Sequence, residues 1–225
     1  MREVVLDTET TGLKPAEGHR IVEIGCVAIE NGIPDGATFH QYINPERDMP
    51  AGAFRVHGLS AEFLGTHPAF ADVADGFLDF IGDSPLIIHN ARFDMGFINA
   101  ELARLDKPPV AMGRCVDTLE IARRKFPGRE NSLDALCRRF SVDNSGRDKH
   151  GALLDAELLA AVYLELCGGR QPDLVLADNA ARPTGGGADP VPKKTRRARP
   201  HGATPEELVR HAAFIDGLKE PIWRQ

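Results

Sequence analysis

The sequence predicts an α/β protein in which helices pack on a mixed sheet of about five strands, with a flexible tail at the C-terminus. Three observations lead to this fold class. Strand-like segments rich in β-branched and alternating residues come first, at Arg2–Leu6, Arg20–Ile29 and Thr38–Ile43. Segments with helical period follow them, and the composition changes near residue 168.

The second and third strands are predicted to form a hairpin, because the Asn31-Gly32 pair between them is a strong turn signal. Leu86–His89 is predicted to be a short buried strand. Apolar residues at helical period predict a helix at Ala69–Ile81. Further helices are expected at Arg92–Arg104, Val116–Lys125, Ser132–Phe140 and Ala152–Leu166.

The chain is expected to have three parts, at residues 1–168, 169–204 and 205–225. The middle part is rich in Gly, Pro and charged residues, and such a segment cannot bury enough apolar surface to offset its ordering entropy. A helix is predicted after it, because Thr204 is a good N-cap and Pro205 suits the first helical position. We therefore expect a folded domain, a linker and a short amphipathic segment.

Composition and charge exclude several classes of protein. The formal net charge of −6 argues against a protein that grips nucleic acid by bulk electrostatics, although bound cations can supply positive charge locally. The four cysteines form no CxxC pair, so a zinc site is not expected. Because the N-terminus is a strand and no stretch is long and apolar enough to span a bilayer, we expect a cytoplasmic protein without membrane contact.

Three short stretches carry candidate chemistry. Asp7 and Glu9 lie two residues apart at the end of the first strand, so their carboxylates project from one face. Two acids this close repel each other, and a divalent metal between them is the usual remedy. Two harmless acids at a solvated strand end are the alternative for this stretch taken alone.

The other two stretches open helices. Asn90 and Asp94 follow the strand that ends near His89, and Asp94 falls in the first turn of a helix, where an acid also suits the helix dipole. His150 precedes a helix that carries Asp155 close to apolar residues, where an unpaired acid is costly. Taken singly, each stretch is also compatible with an ordinary helix start.

Taken together and in order, these motifs resemble the DEDD exonuclease superfamily in its histidine-bearing branch. The resemblance implies a ribonuclease H-like fold and two divalent metal ions, Mg²⁺ or Mn²⁺, held by Asp7, Glu9, Asp94 and Asp155. It also implies that His150 is the general base that takes a proton from the attacking water. Because a histidine titrates near neutrality, activity is expected to rise with pH.

The stretch Phe126–Cys137, followed by the His150 motif, is similar to the epsilon proofreading subunits of bacterial DNA polymerase III, a similarity that covers roughly residues 1–170. The resemblance implies a 3′–5′ exodeoxyribonuclease that acts on a single-stranded or frayed DNA 3′ end and releases 5′-mononucleotides in the bacterial replisome. Substrate contacts are then expected from Asp7, Glu9, Thr10, His57, Asn90, Phe93 and Asp155. Phe54 and Phe97 are further candidates for stacking on the terminal base.

The tail fits the same family. A glutamine followed by spaced apolar residues, near 171–176, is similar to a short clamp-binding peptide and implies that Gln171, Leu174 and Leu176 contact the sliding clamp. The segment 205–225 implies docking on the polymerase III alpha subunit, with the linker keeping the nuclease nearby.

Two alternatives stay open at this level. An RNA-trimming exonuclease would share the acids and the histidine, but such enzymes usually lack a long linker and a docking tail. A catalytically idle scaffold between polymerase and clamp would have no need for every one of these acids, and a double substitution of Asp7 and Glu9 would distinguish it.

Overall fold

The computed structural model describes residues 1–146, 149–169 and 202–217. The chain divides into two compact units, Met1–Val175 and Leu176–Gln225. In the first unit, five strands form one mixed sheet in the order β3-β2-β1-β4-β5. The strands are β1 (Arg2–Thr10), β2 (Ile21–Glu30), β3 (Ile33–Tyr42), β4 (Leu86–Ile88) and β5 (Cys115–Asp117). The predicted α/β class with a mixed five-stranded sheet is confirmed.

The first three strands are antiparallel neighbours, whereas β4 and β5 run parallel to β1. The predicted hairpin is confirmed: β2 pairs with β3, and Asn31 and Gly32 both have positive φ, +52° and +80°. A turn with two positive φ values matches the natural twist of the flanking strands. β1 continues to Thr10, beyond the predicted end at Leu6, because the whole acidic stretch pairs with β2.

Seven helices pack around the sheet within the described part of the first unit, and α8 lies in the second unit. They are α1 (Ala51–His57), α2 (Ala61–Leu64), α3 (Phe70–Ile81), α4 (Ala91–Arg104), α5 (Thr118–Lys125), α6 (Leu133–Phe140), α7 (Ala152–Leu166) and α8 (Pro205–Asp216). None of these helices combines the length and the apolarity that crossing a bilayer requires.

The prediction of one helix over Val116–Lys125 is wrong at its start. Cys115–Asp117 forms β5, and α5 begins at Thr118. The Asp117 side chain caps the helix by accepting from the Leu119 N–H at 2.9 Å. An N-cap residue has extended backbone, so the strand passes directly into the helix with no turn between them.

The sheet separates two apolar cores. Val4 and Leu6 of β1 point to one face, where they pack with α3 and α4 residues such as Phe77 and Phe97. Val5 points to the other face and packs with α6 and α7. By the same alternation, Asp7 and Glu9 point towards the α7 face, and Thr8 points towards the α4 face.

Candidate active site

Asp7 and Glu9 lie at the C-terminal end of β1, near the centre of the sheet. Glu9 is buried with 9% of its surface exposed, and Asp7 is half-buried. Their cross-strand neighbours are Gly25 for Asp7 and Glu23 for Glu9, so a second buried acid stands beside Glu9. The C-terminal end of β1 therefore presents a cluster of acidic side chains to the face of the sheet on which α7 packs.

A glycine in β2 lets helix α7 reach these acids. A Cβ atom on Gly25 would stand 2.2 Å from the Leu153 nitrogen and 2.3 Å from the Ala152 carbonyl carbon, far inside van der Waals contact. The backbone of the first turn of α7 therefore lies directly on the strand. This close approach brings Asp155, which is 3% exposed, to the same end of the sheet as Glu9.

His150 joins these two acids from the coil before α7. Its backbone N–H donates to the Val56 carbonyl at 3.3 Å, which ties the coil to α1. Its Nδ1 lies 3.2 Å from Asp155 Oδ2, and 47% of the imidazole side chain is exposed. Glu9, His150 and Asp155 each offer a ligand atom, and these atoms all lie within 4.8 Å of one another. Three residues predicted from two separate motifs thus form one cluster.

Asp94 approaches from the opposite face of the sheet, on the first turn of α4. It is 3% exposed, and its Oδ1 accepts from both the backbone N–H and the hydroxyl of Thr8, at 3.1 and 2.7 Å. Asp7 and Asp94 lie outside the 4.8 Å cluster of Glu9, His150 and Asp155. Asp94 is nevertheless close enough to Glu9 to raise the pKa of that carboxyl.

The turn before α4 is fixed by a carboxylate from β5. Asn90 has φ +70°, a left-handed conformation that asparagine tolerates better than most residues. The Asp117 carboxylate accepts from the backbone N–H groups of Asn90 at 3.1 Å and Ala91 at 3.0 Å. Asp117 therefore holds the strained turn and the start of the helix that carries Asp94.

Burial makes the charged form of these acids costly. The pKa of Glu9 is raised from 4.5 to about 8, chiefly by burial, with His150 opposing the rise and Asp155, Glu23 and Asp94 adding to it. Burial also raises the pKa of Asp94, against the hydrogen bonds from Thr8. Such acids are stabilised by a nearby cation. Carboxylate oxygens with one imidazole suit a hard divalent metal ion, so these residues fit a metal centre.

An apolar cleft of about 590 Å³ opens beside Glu9. Phe93, Val56 and Thr10 line it, together with the loop that follows β1. Among the three phenylalanines considered for stacking, Phe93 lines this cleft, whereas Phe97 is 1% exposed in the core, so the proposal for Phe97 was wrong. Phe54 is 40% exposed, and its ring lies 5.3 Å from Lys149 Nζ.

His57 ends α1 and lies beside His150 rather than on the wall of the apolar cleft. It is 5% exposed, and its Nδ1 accepts from the Leu59 N–H at 3.0 Å. Burial, Lys149 and His150 lower its pKa to about 4, so the imidazole is neutral near pH 7. Nδ1 is therefore the acceptor, and Nε2 carries the proton. Nε2 is buried and has no hydrogen-bond partner within the described residues.

The sequence did not single out Thr8, Gly25, Glu23 or Asp117. For Thr8 the only signal was its position between the two acids of β1. Glu23, Gly25 and Asp117 are distant in sequence from the motif residues, and no sequence signal marked them. The predicted clamp contacts Gln171, Leu174 and Leu176 fall outside the described residues. Their role stays a prediction.

Comparisons with known proteins agree with this architecture. Residues 4–163 match the exonuclease family RNase_T. The nuclease domain of 3′hExo, described as a DEDDh family member bound to rAMP, shares the fold with a TM-score of 0.64, at 19% identity over 74% of this chain and 92% of that one. Exonuclease X in complex with duplex DNA gives a TM-score of 0.58, at 24% identity over 73% of this chain and 90% of that chain.

The chain is therefore a 3′–5′ exonuclease of the RNase_T family with a ribonuclease H-like fold. Its more similar relatives define it further. The DNA polymerase III subunit epsilon of Rickettsia felis is 50% identical over 225 residues, covering 97% of both chains. That of Escherichia coli K12 is 42% identical over 236 residues, covering 99% of this chain and 97% of the relative. The chain belongs to the DNA polymerase III subunit epsilon family.

Proposed function

We propose that the protein is the proofreading exonuclease of the replicative DNA polymerase III and hydrolyses the 3′-terminal phosphodiester of DNA to release 5′-mononucleotides. The observation that carries this proposal is the convergence of Glu9, Asp155 and His150, which come from β1, from α7 and from the coil before α7, within 4.8 Å. Two acids and a histidine at one water-accessible point have the groups needed to bind a cation and to move a proton.

Four carboxylates would hold two divalent metal ions, Mg²⁺ or Mn²⁺: those of Asp7, Glu9, Asp94 and Asp155. When bound, such ions act as Lewis acids on the phosphoryl oxygens and stabilise the charge that develops on the attacking and leaving oxygens. The raised pKa of Glu9 supports the assignment, because ionising this buried carboxyl is unfavourable without a cation.

His150 would be the general base. Its side chain is half-exposed, so water reaches it, while the bond from its backbone N–H to Val56 and the contact with Asp155 Oδ2 limit where the ring can move. The imidazole would accept a proton from the attacking water and pass it to solvent. A positioned base of this kind contributes about 10²- to 10⁴-fold in rate.

The terminal nucleotide would occupy the apolar cleft. Phe93 offers an aromatic face to the base, and Thr10 lies on the adjoining wall. Asn90 stands at the start of α4 with an exposed side chain, and His57 supplies a neutral Nε2–H donor beside His150. Because a mismatched end unpairs at a lower cost than a matched one, it would reach this site more often.

The tail would tether the nuclease to its partners. We assign residues 1–168 to catalysis, 169–204 to a linker with a clamp-binding peptide near 171–176, and 205–225 to docking on the alpha subunit. The helix α8 supports the last assignment: Thr204 and Glu207 form a capping box at its start. Leu208, Val209 and Phe214 are 57%, 69% and 63% exposed, an apolar surface suited to a partner. The protein would thus work in the bacterial cytoplasm, at the replisome.

Digestion of 5′-labelled oligonucleotides tests the proposal. Matched, mismatched and single-stranded DNA would be compared with RNA, first with Mg²⁺ and then with EDTA. We expect metal-dependent shortening from the 3′ end, faster on mismatched than on matched DNA and weaker on RNA. A preference for RNA would instead indicate a trimming enzyme. If the wild type cleaves nothing with Mg²⁺ or Mn²⁺, whereas it retains polymerase and clamp binding, the scaffold alternative is correct.

A further inference from the structure

A second cleft, of about 770 Å³, lies on the other side of the α4 turn. Two arginines line it, Arg123 at the end of α5 and Arg129 in the loop before α6. Its remaining wall comes mainly from the polar residues His89, Asn90, Asn131 and Ser132. No carboxylate side chain lines the cleft among the described residues.

Most polar groups of this cleft are already engaged. His89 Nδ1 lies 2.9 Å from the Thr118 hydroxyl. The Asn131 side-chain amide donates to the Phe126 carbonyl at 3.3 Å and to the Arg129 carbonyl at 3.0 Å. These bonds fix the walls of the cleft and leave little hydrogen-bonding capacity in them.

Unlike the polar groups of the cleft wall, the guanidinium groups of the two arginines are not engaged by other residues of the described part of the chain. Arg123 and Arg129 are exposed, and within the described part of the chain neither side chain has a hydrogen bond or an ion pair. Their neighbour Arg139, by contrast, donates to Asn131 Oδ1 at 3.1 Å and stacks 4.4 Å from the Phe126 ring centroid. The cleft thus offers two uncompensated cations to an external ligand.

The acids nearest the cleft do not neutralise these cations. The Asp117 carboxylate is turned to the backbone N–H groups of Asn90, Ala91 and Leu119. Glu130 accepts from the Ser132 hydroxyl at 3.0 Å and lies 3.7 Å from Arg138. In a chain whose net charge is −6, a cleft of this kind is a local site for anions.

The position of the cleft indicates which anion. Asn90 lines the basic cleft and Phe93 lines the apolar one, while Asp94 lies on the same first turn of α4. The two clefts therefore flank a proposed metal ligand. An exonuclease has to hold the terminal nucleotide on one side of the scissile phosphate and the rest of the strand on the other.

We infer that the basic cleft binds the phosphodiester backbone of the strand 5′ of the scissile bond, through Arg123 and Arg129. This inference rests on the proposed function. The planar guanidinium fork binds phosphate oxygens in a bidentate manner, and contacts to the backbone fix the register of a strand without reading its sequence. The apolar cleft then accepts the last nucleotide, and the basic cleft sets the direction from which the strand enters.

The test uses the full chain with Arg123→Ala, Arg129→Ala and the double variant, and Arg124→Ala as the matched control. Arg124 lies on the same helix and carries the same charge, but it bonds the Glu120 carbonyl and does not line the cleft. The substrates are a single-stranded DNA 12-mer and an aryl ester of thymidine 5′-monophosphate, which has no phosphate 5′ of the scissile position. Both are assayed with Mg²⁺ over a range of NaCl concentrations.

On the 12-mer we expect each cleft variant to raise KM about tenfold at low salt, the fold-change that corresponds to one lost charge-assisted contact. The slope of log(kcat/KM) against log[NaCl] should become shallower by about 0.7 for each contact removed, as for single-stranded nucleic acid. Arg124→Ala should keep the wild-type KM and slope. On the ester each cleft variant should keep nearly the wild-type KM, so the rise in KM on the 12-mer should exceed the rise on the ester by close to tenfold.

Three results would overturn the inference. One is a KM for the double variant within twofold of the wild type, and another is an unchanged salt slope. The third is an equal loss on the ester, which would show that the arginines act through the catalytic residues rather than on the incoming strand. A wild-type protein that cleaves neither substrate would refute the proposed function itself, a different outcome from any of these three.

Discussion

Replacing Glu9 with glutamine is expected to stabilise the metal-free protein while removing its exonuclease activity. The carboxyl of Glu9 is buried near Asp155, Glu23 and Asp94, and its pKa rises from 4.5 to about 8. A carboxyl whose pKa is raised by folding lowers the stability of the folded state at any pH at which the unfolded chain would ionise it. Glutamine keeps the shape of the protonated acid and cannot ionise.

The magnitude follows from the linkage between protonation and folding. Below pH 4.5 the carboxyl is neutral in both states, so its pKa shift costs nothing. Between pH 4.5 and about 8 the unfolded chain ionises first, and the folded state loses about 1.4 kcal/mol of relative stability per pH unit. At pH 7.5 this gives a ceiling of about 4 kcal/mol. Because the glutamine amide is itself costly to bury, we expect about 2 kcal/mol of net gain.

Thermal unfolding of the full chain in EDTA measures this gain. For a chain of this length, 2 kcal/mol corresponds to a rise in Tm of about 4 to 8 °C at pH 7.5. At pH 5 the ionisation penalty of the wild type falls below about 1 kcal/mol, less than the cost of burying the amide, so the variant should melt at or slightly below the wild type. The matched control is Glu17→Gln, since Glu17 is an exposed acid in an ion pair with Lys14 and should leave Tm within about 1 °C at both pH values.

A Tm of Glu9→Gln at or below that of the wild type at pH 7.5 in EDTA would contradict this prediction. A gain in Tm as large at pH 5 as at pH 7.5 would contradict it equally, because the burial of Glu9 would then not act through ionisation. Mg²⁺ should reverse the order, raising the Tm of the wild type more than that of the variant, since only the wild type keeps the full set of acids.

Three further changes are predicted. His150→Gln should lower kcat about 10²- to 10⁴-fold and leave KM within a few-fold, as measured by steady-state digestion of single-stranded DNA; an unchanged kcat would exclude it as the base. Gly25→Ala should cut activity at least tenfold and lower Tm, because its Cβ would meet the α7 backbone at 2.2 Å. The control Gly96→Ala, with open space at its Cβ, should be neutral or stabilising. Glu101→Ala should destabilise by about 3 kcal/mol in denaturant unfolding, since it strips Arg20 of a bidentate partner at 2.6 and 2.9 Å; a loss below 1 kcal/mol would contradict this.

Sequence patterns predicted the parts of the fold that local physical chemistry determines. The β2–β3 hairpin follows from Asn31-Gly32, which can adopt two positive φ values, and α8 begins where Thr204 predicted an N-cap. Helix α3 lies close to its predicted bounds because apolar residues recur there at helical period, and α4 also lies close to its predicted bounds. These features depend mainly on residues that are close together in the sequence.

Short elements could not be predicted in the same way. Strand β5 has only three residues, too few for a period, and it forms because β4 offers a parallel partner. Helix α1 begins after Pro50 and ends at Gly58 with φ +76°, both legible signals, but its apolar pattern is weak because only His57 is buried in it. Elements of this kind depend on tertiary contacts.

In the candidate site, too, the positions of single residues could be predicted from the sequence, but their packing could not. The structure places Asp7 and Glu9 on one face of β1, and Asp94 and Asp155 in the first turns of their helices, as the sequence predicted. Their role as metal ligands stays a prediction. Their mutual distances could not be predicted, because these depend on how closely α7 packs against β2. The stacking role for Phe97 failed for a related reason: a phenylalanine that faces the core and one that faces a cleft look alike in a helical pattern.

The close packing of α7 on β2 also has a consequence for biosynthesis. More than a hundred residues separate Glu9 from Asp155, so Asp155 and the remainder of α7 leave the ribosome long after Glu9. Contacts of such long sequence separation form late, because the intervening loop must close before the contact stabilises it. A nascent or truncated chain that lacks Ala152–Leu166 therefore has Glu9 without Asp155, and we expect it to be inactive as an exonuclease. Exonuclease activity would appear only once α7 has been synthesised and has packed on β2.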